Sequence, residues 1–469
     1  VGSTAATHLR QPIAAAGEEL RAVIERFDRA ALGAEMLALV RELYPICRSI
    51  TGNGTRQSLR ILQRLVPLEL REVPSGTRVF DWVVPREWNL RRARLIGPRG
   101  ELVADTDRLN LHVVNYSAPF RGALPLEELQ KRLHSLPDQP TLVPYRTTYY
   151  KEDWGFCLRH ADRVGLAPGL YHVEIDTTLT DGSLTYGEHV VRGRQPDEVL
   201  ISAHCCHPSL ANDNLSGMVL AAVLARTLQG LAPRYTYRFL FAPVTIGSIA
   251  WLAQNEANAR RIAHGLVVTC VGDAGRLTYK RSRRGDAEID RAVAHVLAHS
   301  GEPHEIRDFT PYGYDERQFC SPGFDLAVGS LTRTRNGEYP EYHTSGDDPE
   351  LVKPDRLADS LLRYLEVVEV LEGNRTCVNL LPKCEPQLGK RGLYGQIGGQ
   401  SHAAASQMTL LWVLNLCDGT RTLLEVAERA KIPFWEVRRG AEALRDAGLL
   451  AEQPSMGNDA RLHLTGEGT

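Results

Sequence analysis

Between residues 198 and 374, short apolar β-type runs alternate with helical ones, and this alternation restricts the fold more than any other feature. EVLISAH (198–204) reads as a buried strand and NLSGMVLAAVLARTLQG (214–230) as an amphipathic to buried helix. YTYRFLFAPV (235–244), HGLVVTCVGD (264–273) and FDLAVGSLT (324–332) read as further strands. SIAWLAQNEANARRIA (248–263), AEIDRAVAHVLAHSG (287–301) and PDRLADSLLRYLEVVEVLEGN (354–374) read as helices. Strands alternating with helices predict an α/β domain with a parallel-rich sheet covered on both faces.

The flanking sequence has other textures. Residues 18–43 carry apolar positions at helical spacing, and Gly52, Asn53 and Gly54 mark a turn before another helix. From 78 to 193, β-rich runs such as RVFDWVV and LTYGEHVV alternate with Pro and Gly turns, around one short helix at 124–136. Past 379 comes a Pro- and Gly-containing connector, then three short helices and a polar tail. The expected organisation is an α/β domain over 18–77 and 194–378, a β-rich insert over 78–193, and a winged-helix-like module over 379–469. A chain of 469 residues has room for two or three domains of about 100–200 residues.

Composition excludes several classes. A net charge of −2 gives no bulk attraction to polyanions. Residues 421–450 hold six basic against five acidic side chains, so the last module is expected to contact protein or dimerise rather than bind nucleic acid. No apolar run approaches the roughly 18 residues of a membrane helix, and the first twenty residues lack a signal-peptide pattern. Nine irregularly spaced cysteines argue against a disulfide framework and fit a reducing cytoplasm.

In open α/β sheets, ligands sit beyond the carboxyl ends of the strands. Those positions here are rich in His and carboxylate. His204-Cys205-Cys206-His207 and Asp213 follow the first strand, and Asp273 follows the third. Tyr314, Asp315, Glu316 and Arg317 precede the fourth, and Tyr342-His343 follow it. Neutral imidazole and carboxylate oxygen are the ligands of catalytic zinc sites. Taken alone, Asn212 or Asp213 also fits a helix N-cap, Asp273 a turn, and 315–317 a solvated charge run. Cys205 and Cys206 read as small buried apolar residues.

HCCHPSLANDNLSG, APVTIGS, YDERQFCSPG and EYHTSGDD together resemble the aminopeptidase-like proteins of polysaccharide and small-molecule biosynthesis clusters. These are distant relatives of zinc aminopeptidases with two co-catalytic metals. The resemblance covers roughly 35–375, and a C-terminal winged helix is typical of these relatives. It implies a zinc-aminopeptidase-like fold, one or two zinc ions, and ligands among His207, Asp213, Asp273 and His343. His204 competes with His207, lying where a His-x-Asp element would begin; the Cys-His-Pro-Ser string favours His207.

One departure stands out. These relatives usually carry a glutamate just after the proline that ends the second strand, and Val244 stands there instead. The usual general base is therefore missing; Glu316 is the expected substitute, with Asp315 second. Tyr342 and Tyr314 are candidate oxyanion donors. Arg317, Arg333 and Arg335 are candidates to bind substrate, since Arg grips carboxylates bidentately. The expected activity is metal-dependent cleavage of an amide in a small aminoacyl or peptidyl substrate. Two alternatives remain: a catalytically altered binding or scaffold protein, and acyl transfer on the same metal site.

Overall fold

The computed structural model describes residues 15–393 and 401–453, and in it the apolar run at 198 forms an interior strand of an eight-stranded mixed sheet. In chain order the strands are β1 (Glu69–Pro74), β2 (Ser183–Val191), β3 (Glu198–His204), β4 (Thr236–Ala242), β5 (Ile262–Val268), β6 (Leu277–Lys280), β7 (His304–Arg307) and β8 (Val328–Thr332). Their spatial order is β1-β2-β4-β3-β5-β8-β6-β7. The inner strands β4, β3, β5 and β8 run parallel, while β2 is antiparallel to β4 and β6 to β8. Every residue of β3 and β4 is buried. Covering on both faces explains why these strands read as apolar runs and not as alternation.

Helix α1 (Gly217–Gln229) leads from β3 to β4, and α2 (Ile246–Gln254) begins the return to β5 on the other side of β3. The connections therefore reverse direction at β3. Ligands of open α/β sheets collect at such a reversal, beyond the strand ends. The last residue of β3 is His204.

Among the described residues, chain contacts group 26–290 and 302–364 into one compact unit, and 15–25, 291–301, 365–393 and 401–453 into another. The first holds the large sheet and a separate four-stranded sheet made of Glu87–Ile96, Leu102–Asp105, Phe120–Pro125 and Leu170–Thr180. The smaller sheet has its own core around Leu95, Phe156, Tyr171 and Ile175. In the second unit, Thr376–Asn379 pairs antiparallel with Asp418–Thr422 and Leu450–Glu452. Helices Ser401–Leu416, Leu423–Ala430 and Phe434–Asp446 complete a winged-helix arrangement. Thr422 and Glu425 form a capping box that starts the middle helix.

The expected elements differ from the observed ones in several places. The helix read over 248–263 ends at Gln254, is followed by a short one at Glu256–Ala259, and gives way to β5 at Ile262. LTYGEHVV, read as part of the β-rich insert, is β2 and pairs with β1 and β4 in the large sheet. The strand's residues Ser183–Gly187 are all buried, which the mixed polar sequence hides. The helix read over 18–43 is two helices, Ala15–Glu25 and Arg29–Leu43, because Asp28 accepts from Ala31 N and caps the second. Strands β6 and β7 were not expected; four residues of mixed polarity carry too short a period to read. The polar tail from 454 onward lies outside the described residues. Among the described residues, no helix is long and apolar enough to cross a membrane.

Candidate metal centre

The turn between β3 and α1 is buried throughout, so its polar groups must find partners inside the protein. Asn214 Nδ2 donates to Val268 O (2.9 Å), and its Oδ1 accepts from Gly217 N (3.1 Å). A Cβ on Gly217 would lie 2.2 Å from Asn214 Oδ1 and 2.4 Å from Val268 O, so this close approach requires glycine. Asp347 accepts from Asn212 N (2.5 Å) and Asp213 N (3.0 Å). With its own backbone held from outside, Asp213 is free to turn its carboxylate toward the strand ends.

Three side chains converge there. Ligand atoms of His204, His207 and Asp213, all buried, lie within 4.8 Å of one another. His204 Nε2 is 2.9 Å from Asp213 Oδ1, yet it has no hydrogen-bond partner by direction. His207 Nδ1 is likewise buried and unpartnered. His343 joins from the loop after β8, with Nε2 3.0 Å from Asp213 Oδ2. Its backbone is left-handed (φ 55°), and its carbonyl accepts from Tyr145 N (2.7 Å). The Tyr145 ring packs edge-on against His207 and His343, each at 5.1 Å. Tyr314 stacks on His204 at 4.7 Å and donates its hydroxyl to Asp213 Oδ1 (3.0 Å). Tyr342 stacks on His343 at 4.0 Å, with its hydroxyl 3.4 Å from that of Tyr314.

Burial drives the His207 pKa well below its usual value, with His204 and His343 adding to the fall against the attraction of Asp213. Burial alone would raise the Asp213 carboxyl. The attraction of His207 and His204, with the close approach of His204 and the hydrogen bond from His343, overcomes it and holds the carboxyl well below the usual range. A neutral imidazole beside an ionised carboxylate is the protonation state that metal ligation requires. Burial, with the Asp213 charge next, pushes the hydroxyls of Tyr314 and Tyr342 up, so both stay protonated donors. Two orphaned buried imidazole nitrogens around one carboxylate fit a divalent cation.

The remaining expected residues have separate settings. Asp273 is buried, and its oxygens accept from Asn212 Nδ2 (2.9 Å), Gly275 N (2.7 Å), and Thr334 N and Oγ1. These bonds fasten one loop to another. Glu316 is buried against Lys280 and accepts from Tyr314 N. Arg333 is buried and pairs with Asp359 Oδ2 (2.5 Å), with Ser360 Oγ and Gly275 O as further acceptors. Arg335 lies 3.5 Å from Glu338. Arg317 is half-buried, with its Nε unpaired. Asp315 accepts from Ser248 Oγ on α2 (2.8 Å), and its Oδ2 is buried without a partner. Burial pushes Asp315 up to about 7.

Sequence reading missed Asp347 and Tyr145. Asp347 acts on backbone more than 130 positions away, and Tyr145 lies in the stretch read as insert. The short EYHTSGDD string does contain Asp347, and its closeness to His343 was the available signal. Cys270 is a third omission. Left-handed and buried beyond β5, its Sγ lies 3.6 Å from Tyr314 OH and 3.8 Å from Tyr339 OH.

Residues 37–374 match the family model described as Domain of unknown function (DUF4910), and residues 375–452 match a winged helix-turn-helix model. The chain belongs to the DUF4910 family. A Clostridium acetobutylicum protein is 48% identical over 433 residues, spanning 92% of this chain and 99% of the relative. Its provisional name is polysaccharide biosynthesis protein with aminopeptidase-like domain. A crystal structure from the same organism, provisionally called a peptidase, matches this DUF4910 protein with a TM-score of 0.88 at 47% identity, covering 93% of this chain and 100% of that one. Two further structures share the fold at 13% identity and cover 76% of this chain. They are an M28 peptidase precursor from Shewanella amazonensis (TM-score 0.53, 96% of that chain) and a zinc aminopeptidase from Bacillus subtilis (TM-score 0.51, 95% of that chain). The DUF4910 domain is therefore aminopeptidase-like in fold.

Proposed function

We propose that this DUF4910 protein is a metal-dependent hydrolase that cleaves an amide bond in a small aminoacyl or peptidyl substrate, within a biosynthetic pathway. One observation carries the reading: His204 and Asp213 meet at 2.9 Å inside the protein without hydrogen-bond direction, beside an equally orphaned His207. Buried polar groups are normally paired, so these atoms point to a shared ligand. His204, His207 and Asp213 would hold one zinc ion, with His343 on the second carboxylate oxygen. Zinc bound there supplies Lewis acidity toward an amide carbonyl.

The chain's own groups do the rest. Tyr342 stays protonated, so its hydroxyl can donate to the oxygen that gains charge as the amide is attacked, while Tyr314 spends its own proton on Asp213. Asp315 is the proton acceptor. Its Oδ2 has no partner, and it leans on α2, the helix that follows the strand end where Val244 stands. A carboxyl near 7 is matched to accepting and returning a proton close to neutrality. Glu316 is less suited, because Lys280 already engages its carboxylate.

The test is elemental analysis of protein purified without a chelating tag, followed by assay on aminoacyl p-nitroanilides, for wild type, His207→Ala and Asp213→Asn. Stoichiometric zinc and turnover, both lost in the variants, are expected. A zinc-free wild type that stays metal-free after zinc is supplied would sink the reading. A second reading, a binding protein on the same fold, draws support from Val244 and the Lys280–Glu316 pair. It predicts bound zinc with no hydrolysis of any amide tried.

A further inference from the structure

Paired catalytic metals sit about 3.5–4 Å apart, so one carboxylate can hold an ion on each of its oxygens. Each ion still needs ligands of its own; a catalytic zinc takes about three from the protein. Asp213 is placed as such a bridge would be. Its Oδ1 lies 2.9 Å from His204 Nε2, and its Oδ2 lies 3.0 Å from His343 Nε2. The two sides differ in what surrounds them. On the first, His204 and His207 converge with Asp213. Among the described residues, these form the one group of three His, Cys, Asp or Glu side chains close enough to share an ion. On the second, His343 stands with Asp213 as a pair and lacks a third ligand.

The carboxylates and thiols nearby do not supply one. Asp273 accepts from Gly275 N (2.7 Å) and Thr334 Oγ1 on Oδ1, and from Asn212 Nδ2 (2.9 Å) and Thr334 N (3.2 Å) on Oδ2. Each of its oxygens already takes two donors. Glu316 is held by Lys280 and Tyr314 N, and Asp347 by the N–H groups of Asn212 and Asp213 and by Tyr339 OH. Asp315 keeps a free oxygen, but it leans on Ser248 and joins no group of three. Val244, beyond the end of β4, has no ligand atom. Cys270 Sγ reaches the Tyr314 hydroxyl (3.6 Å), and that hydroxyl bonds Asp213 Oδ1 rather than Oδ2.

We infer that the centre takes a single metal ion, on His204, His207 and Asp213, and that His343 is a positioning residue that donates Nε2–H to Asp213 Oδ2. This rests on the metal centre of the reading above. It departs from the pair of metals that the resemblance to zinc aminopeptidases implies. His343 is itself held in place. Its carbonyl accepts from Tyr145 N (2.7 Å), and its ring lies between Tyr342, stacked at 4.0 Å, and Tyr145, edge-on at 5.1 Å. A hydrogen bond on one oxygen orients a carboxylate that binds metal through the other.

The test is zinc content of the full chain after dialysis against excess zinc and then metal-free buffer, with chelator competition for affinity. Wild type is compared with Asp213→Asn, His343→Ala and His343→Gln, and circular dichroism checks that each folds. Zinc retained by Asp213→Asn sits elsewhere and is subtracted. One zinc per chain is expected to depend on Asp213. His343→Ala should keep that zinc but bind it about 10–100-fold more weakly. His343→Gln, whose amide can donate from the place of Nε2, should bind it nearly as tightly as wild type. Two zinc ions lost with Asp213→Asn overturn the single-ion centre and leave the hydrolase standing. A folded His343→Ala without zinc, or His343→Gln no tighter than His343→Ala, makes His343 a ligand and overturns its positioning role. A wild type that takes up no zinc sinks this inference and the hydrolase together. One zinc in a protein that cleaves no amide keeps the single-ion centre and removes only the hydrolase.

Discussion

Lys280 Nζ closes on the Glu316 carboxylate inside the protein, and this pair removes Glu316 from the groups free to accept a proton. The same ammonium donates to Tyr312 O (2.9 Å), while Glu316 accepts from Tyr314 N (3.1 Å). The pair thus clamps the loop that presents Tyr314 to Asp213. Breaking a buried ion pair by removing one partner costs about 3–5 kcal/mol. Glu316→Gln is therefore expected to lower stability by an amount of that order in urea unfolding. Lys280→Met with Glu316→Leu should recover much of it, because no uncompensated charge remains.

Asp315→Asn should behave in the opposite way. Its side chain makes one hydrogen bond, to Ser248, which an amide oxygen can still accept. Folding and zinc content are expected to stay near wild type, while kcat falls by about 10²–10⁴, the usual contribution of a general base. Steady-state kinetics beside elemental analysis separate the two. Loss of zinc together with activity would reassign Asp315 to a structural role.

Zinc should also be a stabiliser. A ligand that binds only the folded state adds about 2.7 kcal/mol at a free concentration 100 times its Kd. Wild-type unfolding is expected to shift upward with added zinc, and Asp213→Asn to show little shift. Thermal scans at several zinc concentrations check this. Equal shifts in both proteins would place the bound zinc elsewhere.

Which parts of this arrangement were legible in the sequence follows from how each residue acts. His204, His207, Asp213 and His343 stand at the ends of strands or the turns beyond them, where the strand-end rule points, and the structure brings them together. Asp273 stands at an equivalent position, yet its oxygens are taken by Asn212, Gly275 and Thr334. Nothing local separates a carboxylate that binds loops from one, like that of Asp213, that faces imidazoles. Arg333 illustrates the same ambiguity, since a buried Asp359 on a distant helix decides its role. The inner strands were readable because burial on both faces leaves apolar runs. β2 was read as a β run but placed in the insert, because the long-range pairing with β1 and β4 that puts it in the large sheet leaves no trace in its local pattern.

Acid should weaken a second part of the fold. Arg56 donates two hydrogen bonds to Glu87, at the start of the smaller sheet, and holds its carboxyl down at about 2. A carboxyl depressed in the folded state adds stability above its unfolded value near 4.5, and this is lost as pH falls through about 2. The group is partly solvated, so the contribution is about 1–2 kcal/mol after screening. Glu87→Gln is expected to lower stability by that amount at pH 7 and by progressively less below pH 4.5. Denaturant melts of both proteins across pH 2–7 give the comparison; a constant difference would mean that Arg56 does not bias this titration.

Asp347 offers the sharpest separation between holding the metal centre and belonging to it. Its carboxylate touches neither imidazole of the His204–His207 pair by any hydrogen bond, but it fixes the backbone N–H groups of Asn212 and Asp213 and accepts from Tyr339 OH (3.1 Å). Asp347→Asn keeps the shape but turns an N–H₂ donor toward at least one donor already there. Leaving a buried N–H unpaired costs about 1–3 kcal/mol. The strain falls on the turn that aims Asp213, and partners that orient ligands typically change metal affinity by about 10–100-fold. The variant is therefore expected to fold, to bind zinc 10–100-fold more weakly in competition with a chelator, and to regain turnover when zinc is supplied in excess. A direct ligand would not be rescued so readily: Asp213→Asn should remain inactive at the same zinc concentration. If Asp347→Asn instead kept wild-type zinc affinity, the backbone of this turn would be set by Asn214 and Gly217 without help from Asp347.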